Sequence, residues 1–240
     1  MPPRIAPLLR PQIGFAHRGA RAHERENTLA AFELALRLGA TGLETDAWLT
    51  RDGQVVLDHD GEVGHWPRRR AIRQIDRADL PAHIPTLDDL YDKVGGDIPL
   101  SIDVKDLDAA MPIIAIARRV GEHALRNLWL CTGYLDQLIE WRAHEPAVRL
   151  VDSTRLKRLR EGPERRAARL AELGIDAINM HQSDWTGGLT TLFHRFERYA
   201  FAWDLQFERL LLQSLDMGID AVYSDWSDRL ATSLAAMEPS

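Results

Sequence analysis

Eight short apolar runs, each followed by a stretch of helical periodicity, restrict the fold of this chain more than any other feature. The runs open near Ile13, Leu43, Leu100, Asn127, Val148, Asp176, Tyr199 and Ala221. In LAAFELALRLGA, Leu29, Phe32, Leu36 and Ala40 fall on one helical face, with Asn27 or Thr28 as the cap and Gly39 as the stop. A short helix is expected from Thr86, and others at 108–122, 134–144, 163–173, 188–197, 206–217 and 226–237. Strand, helix, strand in succession is the parallel crossover of α/β folds. Eight such units in 240 residues predict a (β/α)8 TIM barrel, with residues 1–240 forming a single domain.

The second run carries most of the chemistry. LETDAWLTRDGQVVLDHD, Leu43 to Asp60, reads as two strands joined through Asp52-Gly53, a dipeptide that tolerates positive φ at both positions. If Arg51 pairs with Gln54, Asp46 lies directly opposite His59, with Glu44 one same-face position away. Val55 to His59 is then the returning arm of a β-hairpin extension after strand 2, and not a barrel strand. Carboxylates crowded in this way call for a cation to offset their repulsion.

Other strand ends supply matching groups. IGFAH closes on His17 and Arg18, and LSIDVK turns Ser101, Asp103 and Lys105 to one face. His17, Glu44, Asp46, Asp103 and Lys105 all fall at C-terminal strand ends, the face on which this barrel builds its active sites, and the hairpin returns His59 to that level. Glu44, Asp46 and Asp103 offer only oxygen, which suits a hard divalent cation, Mg²⁺ or Ca²⁺; no His/Cys cluster suggests structural zinc. Two imidazoles beside it suit a proton relay, and Arg18 and Lys105 can hold an anion. Together these groups fit phosphodiester cleavage.

From Gly61 to His83 the chain has little periodicity and carries Arg68, Arg69, Arg70 and Arg73. It reads as a connection, its arginines a solvated face or a phosphate-attracting lid. Cys131, His181 and Asp225 read as core or rim residues, and Asn27 as a cap. A net charge of −6 and a pI near 5.8 argue against broad binding to nucleic acid or anionic membranes. The one cysteine cannot form an internal disulfide, and no apolar run reaches the length of a signal peptide or a membrane span. A cytoplasmic protein with no stable membrane insertion, acting on a small molecule, is expected.

The segments HRG, ENTLAAF, GA, ETDAWLTRDGQVVLDHD, IPTLDDL, SIDVK and GIDAVYSD together resemble the glycerophosphodiester phosphodiesterase family of phospholipase-C-like TIM barrels. The likeness is dense from Gly14 to Lys105 and resumes at Trp203 and at Gly218 to Asp225. It implies hydrolysis of a glycerophosphodiester to sn-glycerol 3-phosphate and an alcohol, with a divalent cation. It implies His17 and His59 as catalytic histidines, the first assigned as base and the second as acid. By the same resemblance Glu44, Asp46 and Asp103 are metal ligands, Arg18 a phosphate contact, Lys105 the basic residue after the third ligand, and Trp203 a wall for the glycerol. Two positions depart from the family pattern: Asp103 stands where Glu is usual, and the insertion after His59 is short and lacks the Thr- and Gly-rich pattern. The same site could serve a lysophospholipase D or a lyase that releases a cyclic phosphate. A catalytically silent binding barrel would be expected had either histidine been lost, and both are present.

Overall fold

The structure is a computed structural model that describes residues 4–237. In chain order its elements are β1 (Ile13–Ala16), α1 (Leu29–Arg37), β2 (Gly42–Leu49), β3 (Val55–Leu57), β4 (Glu62–Val63), β5 (Arg70–Ala71), α2 (Leu87–Val94) and β6 (Leu100–Val104). There follow α3 (Ala110–Val120), α4 (Glu122–Asn127), β7 (Leu128–Thr132), α5 (Leu135–His144), β8 (Arg149–Ser153), α6 (Pro163–Glu172), β9 (Ala177–His181), α7 (Gly187–Arg195), β10 (Tyr199–Trp203), α8 (Glu208–Asp216), β11 (Ala221–Ser224) and α9 (Ser227–Ala235). Strands β1, β2 and β6 to β11 pair in parallel with their neighbours, and β1 closes the ring on β2 through Phe15 and Gly42. This is the expected TIM barrel. Gly42 belongs at the closure because a Cβ there would lie 2.7 Å from the Phe15 ring.

Alternation along the strands sorts the side chains into two layers. Phe15, Trp129, Val151, Phe201 and Tyr223 fill the barrel interior, with Phe15 and Tyr223 stacked at 4.9 Å between centroids. Leu43, Ile102, Leu130, Leu150, Ile178 and Val222 face outward into an aliphatic layer shared with the helices. Helices α1 and α2 start where local chemistry supplies their orphan amides with acceptors: Thr28 accepts from the Ala31 amide, and Thr86 and Asp89 form a reciprocal capping box.

The hairpin differs from its expected register. Strand β3 does run antiparallel to β2, but Ala47 pairs with Leu57, Trp48 with Val56 and Leu49 with Val55. Asp46 therefore stands opposite Asp58, whose amide donates to the Asp46 carbonyl at 3.1 Å, and His59 lies one residue beyond. The cause is the turn. Arg51, Asp52 and Gly53 form a three-residue loop in which Gly53 takes the left-handed conformation (φ 78°) and Thr50 bonds Gln54 at 2.9 Å. A hydrogen bond of 2.5 Å from the Thr50 hydroxyl to the Asp52 carboxylate favours this longer loop over a two-residue turn.

The segment after His59 holds more structure than its sequence suggests. Strands β4 and β5 form a two-stranded antiparallel sheet, and beyond it Ile72, Ile75, Leu80 and Ile84 pack on Val56 and Trp48 as a separate small core. The hairpin is thus clamped from outside the barrel.

One buried ion pair lies in the outer layer, away from the barrel mouth. Asp152 on β8 is fully buried, and Arg166 Nε on α6 is 3.2 Å from its carboxylate. Burial pushes the Asp152 pKa up to about 6, although Arg166 pulls it down. Arg166→Leu leaves this carboxylate alone and is expected to cost roughly 3 kcal/mol of stability at pH 8. Because the folded pKa lies above the unfolded one, the neutral acid favours folding, an advantage complete below about pH 4 and lost as pH rises through about 6. Denaturant unfolding should therefore find a smaller penalty for the variant at pH 5 than at pH 8.

Candidate active site

The C-terminal ends of β1, β2 and β6 bring the acidic and basic groups to one place. Asp46 and Asp103 are register partners on adjacent parallel strands, as are Glu44 and Ser101. The two aspartates therefore project side by side, and Glu44 lies deeper on the same face of β2. At the end of β1 the chain turns sharply, with Arg18 left-handed at φ 55°, and its amide donates to Glu44 Oε2 at 2.8 Å. A non-glycine residue held in that region carries strain of the kind that gathers at functional sites. Asn27 is left-handed too (φ 54°); its amide NH₂ donates to Asp46 Oδ2 at 3.2 Å while its carbonyl accepts from Thr45. Thr28 is the helix cap, so Asn27 supports Asp46.

The electrostatics follow from burial. Glu44 is pushed up to about 7, first by burial and then by Asp46, against the pull of His17 and the Arg18 amide. Burial also raises Asp103, in part offset by Lys105. Burial works against the charge on Lys105, but Asp103 and Asp46 more than compensate and hold the ammonium well above its ordinary range. Lys105 Nζ sits 2.5 Å from Asp103 and 3.1 Å from Asp46, and Arg18 Nε sits 3.2 Å from Asp46 on the other side.

The two imidazoles flank this group. His17 Nδ1 lies 2.7 Å from Asp225 Oδ1, and its Nε2 is 3.9 Å from Glu44. Burial lowers the His17 pKa, but Glu44 and the Asp225 hydrogen bond outweigh it and leave the pKa raised. Asp225 is lowered in turn: burial opposes ionisation, and the hydrogen bond and charge of His17, with Arg21, overcome it. His59 sits just past β3, where Asp58 Oδ1 accepts the amides of Asp60 and Gly61 and bends the chain back over the barrel. Its Nδ1 is 2.8 Å from Asp60 Oδ1.

All eight residues singled out in the sequence, His17, Arg18, Glu44, Asp46, His59, Asp103, Lys105 and Trp203, line one cavity of about 510 Å³ at the barrel mouth. His59 reaches it even though the strand pairing differs, because the bend at Asp58 re-aims the chain after β3 ends. Trp203 forms part of the far wall, edge-on to His181 at 4.6 Å and with the Arg155 guanidinium 5.7 Å from its ring centroid. Sequence reasoning took Asp225 only as a core or rim residue and did not single out Arg21, Arg155 or Arg158; all four also line the cavity. The signal for Asp225 was its place at the C-terminal end of the last barrel strand. A second cavity, of about 640 Å³, lies between the hairpin and the segment that clamps it, and His59 lines both.

The donor chemistry of the mouth fits a hard cation. Glu44, Asp46 and Asp103 bring only oxygen to a buried position where their own repulsion raises Glu44, and a cation there would restore the ionised form. As the side chains stand, no group of three His, Cys, Asp or Glu among the described residues is gathered tightly enough to enclose an ion, and Lys105 neutralises two of the carboxylates. No helix among the described residues is long and apolar enough to cross a membrane.

The sequence pattern of the Glycerophosphoryl diester phosphodiesterase family matches residues 17–229. The probable glycerophosphodiester phosphodiesterase 2 of Mycobacterium tuberculosis is 27% identical over 255 residues, covering 94% of this chain and 91% of that protein. Among solved structures, the glycerophosphodiester phosphodiesterase of Thermotoga maritima superposes with a TM-score of 0.81 at 23% identity, over 92% of this chain and 97% of that one. A phosphodiesterase of Oleispira antarctica, in complex with the product sn-glycerol-3-phosphate, gives 0.78 at 21% identity, over 93% and 96%.

Proposed function

This chain belongs to the glycerophosphoryl diester phosphodiesterase family, and on that premise we propose how its own residues carry out glycerophosphodiester hydrolysis. The products are sn-glycerol 3-phosphate and a free alcohol. The observation that carries the reading is the pair of imidazoles, each with a carboxylate on Nδ1, on either side of a buried cluster of carboxylates and cations. Such a pair can take a proton on one flank of a phosphoryl centre and return one on the other.

His17 acts as the base. In the neutral ring the Asp225 carboxylate on Nδ1 would favour the tautomer with Nε2 unprotonated, which is the logic of a base oriented by a third group. The group it deprotonates is the attacking hydroxyl: water directly, or the substrate's own 2-hydroxyl, in which case the alcohol leaves with a cyclic phosphate that water then opens to glycerol 3-phosphate, the two histidines exchanging roles. His59 acts as the acid, donating to the departing alkoxide. It lines both cavities. Arg18 and Lys105 hold the non-bridging phosphoryl oxygens and offset their growing charge, and Trp203 bounds the space for the glycerol. Glu44, Asp46 and Asp103 would hold a divalent cation, Mg²⁺ or Ca²⁺, whose charge would polarise the phosphoryl group.

Release of glycerol 3-phosphate, measured across glycerophosphodiesters with choline, ethanolamine, glycerol and inositol as leaving alcohols, tests the reaction and ranks its substrates. A cyclic phosphate as the final product would overturn hydrolysis in favour of the lyase. Asp225 is a positioning residue in this scheme, so Asp225→Asn should lower kcat by about 10²-fold, at the lower end of what proton transfer contributes, and leave KM nearly unchanged. Partial recovery in Asp225→Glu would separate loss of orientation from loss of fold.

A further inference from the structure

Among the described residues five large apolar side chains are exposed: Trp66 (86%), Tyr134 (66%), Phe207 (61%), Leu8 (41%) and Met111 (36%). Four of them share one end of the molecule. Tyr134 and Phe207 lie in the connections that leave β7 and β10, Met111 lies in the first turn of the helix after β6, and Trp66 lies in the insertion that follows the hairpin. In a parallel barrel every such connection sits at the C-terminal end of the strands, the end that holds the catalytic mouth. Only Leu8, which precedes β1, lies elsewhere.

Charge follows the same distribution. The stretch from Gly64 to Arg70 contains Arg68, Arg69 and Arg70, all exposed, and no acidic residue. In the loop after β8, the stretch from Thr154 to Arg160 contains Arg155, Lys157, Arg158 and Arg160, again with no acidic residue, and the last three are exposed. Of these exposed cations only Arg69 is in an ion pair among the described residues, with Glu62 at 3.6 Å. These two basic stretches sit on well-separated strands of the ring, so they flank the mouth. A chain of net charge −6 thus carries two exposed basic stretches on the loops around its mouth, interspersed with Asp60, Glu62 and Asp108 on neighbouring segments.

Exposed aromatics interleaved with arginine and lysine around one opening match the chemistry of a bilayer interface, where amphipathic rings sit at headgroup level and cations meet anionic lipid. We propose that the barrel mouth docks reversibly, face-on, against an anionic phospholipid surface, with Trp66, Tyr134 and Phe207 entering the headgroup layer. This goes beyond the bond the enzyme breaks and concerns where it works: docking brings the cavity over substrates presented by a membrane. The acidic average of the chain argues against broad adhesion, and the docking is confined to this face.

Sedimentation with sucrose-loaded vesicles tests the proposal without reference to catalysis. The protein should pellet with phosphatidylglycerol/phosphatidylcholine vesicles in low salt, be released by raised salt, and ignore pure phosphatidylcholine. Trp66→Ser combined with Tyr134→Ser and Phe207→Ser should abolish binding. Arg68→Glu with Arg69→Glu should weaken it by about fivefold or more for each charge. Both variants should keep their circular dichroism and their turnover of soluble glycerophosphoethanolamine. Absence of binding in low salt, or equal binding by both variants, would overturn the proposal. So would self-association that the aromatic variant removes, which would make this rim a contact between protein copies.

Discussion

His59→Ala is expected to slow an alkyl glycerophosphodiester, such as one releasing ethanolamine, by about 10²- to 10⁴-fold. The same variant should lose far less on a glycerophospho-nitrophenyl ester. An alkoxide is a poor leaving group that needs a proton as the bond breaks, whereas a nitrophenolate leaves without help. His17→Ala should harm both esters similarly, because activation of the attacking hydroxyl is needed in either case. Comparing kcat/KM for the two esters in both variants resolves the roles. Equal loss on both esters for His59→Ala, with the nitrophenyl ester spared in His17→Ala, would reverse them. Discrimination by neither variant would place the acid on another group. The proposed order rests on a contrast in placement: Asp225 holds His17 within the barrel, while His59, with Asp60 on its Nδ1, lines two cavities.

Removal of divalent metal is expected to lower turnover by about 10³-fold or more, the worth of several kcal/mol of charge stabilisation at a phosphoryl centre. Mg²⁺ or Ca²⁺ should restore it. Full activity after exhaustive chelation would refute the metal reading. A readout independent of turnover is also available, because three ionised carboxylates at one buried spot are mutually destabilising: added Mg²⁺ or Ca²⁺ should raise the unfolding midpoint. Asp103→Asn should weaken that response while leaving part of the activity recoverable at high metal concentration. Asp103 is the most exposed of the three carboxylates and the one that Lys105 holds at 2.5 Å.

The barrel was legible in the sequence because its strands and helices bury opposite faces, and that demand writes a period into the residues. Each expected helix and strand is found within a few residues of its predicted place, from IGFAH to AVYSD. The residues that line the mouth were legible for a related reason, since in this fold a polar residue on the inward face at the end of a barrel strand points into the mouth. What was not legible depended on contacts between distant residues or on single torsions. The hairpin register turned on whether Gly53 closes a two- or a three-residue loop, which the Thr50 and Asp52 side chains decide. The His17–Asp225 hydrogen bond joins residues 208 positions apart. Asn27 sits beside a better cap, so its contact with Asp46 is invisible to local pattern. The small sheet of β4 and β5 has strands of two residues each, too short to show any alternation.

The two proposed proton carriers rest on supports of different kinds. His17 is anchored in the barrel, where opening it requires unravelling the closed ring. His59 follows a hairpin strand whose Val55 and Leu57 are buried in the main core, while Val56 packs with Ile72, Ile75, Leu80 and Ile84 in a small cluster of its own. Such a unit opens locally at far lower free energy than the whole molecule. When it does, His59 is the site residue that would be released, while His17, the carboxylates, Arg18 and Lys105 stay in place. Activity is therefore expected to fail before the barrel unfolds, with the cluster of Ile72, Ile75, Leu80 and Ile84 setting the gap.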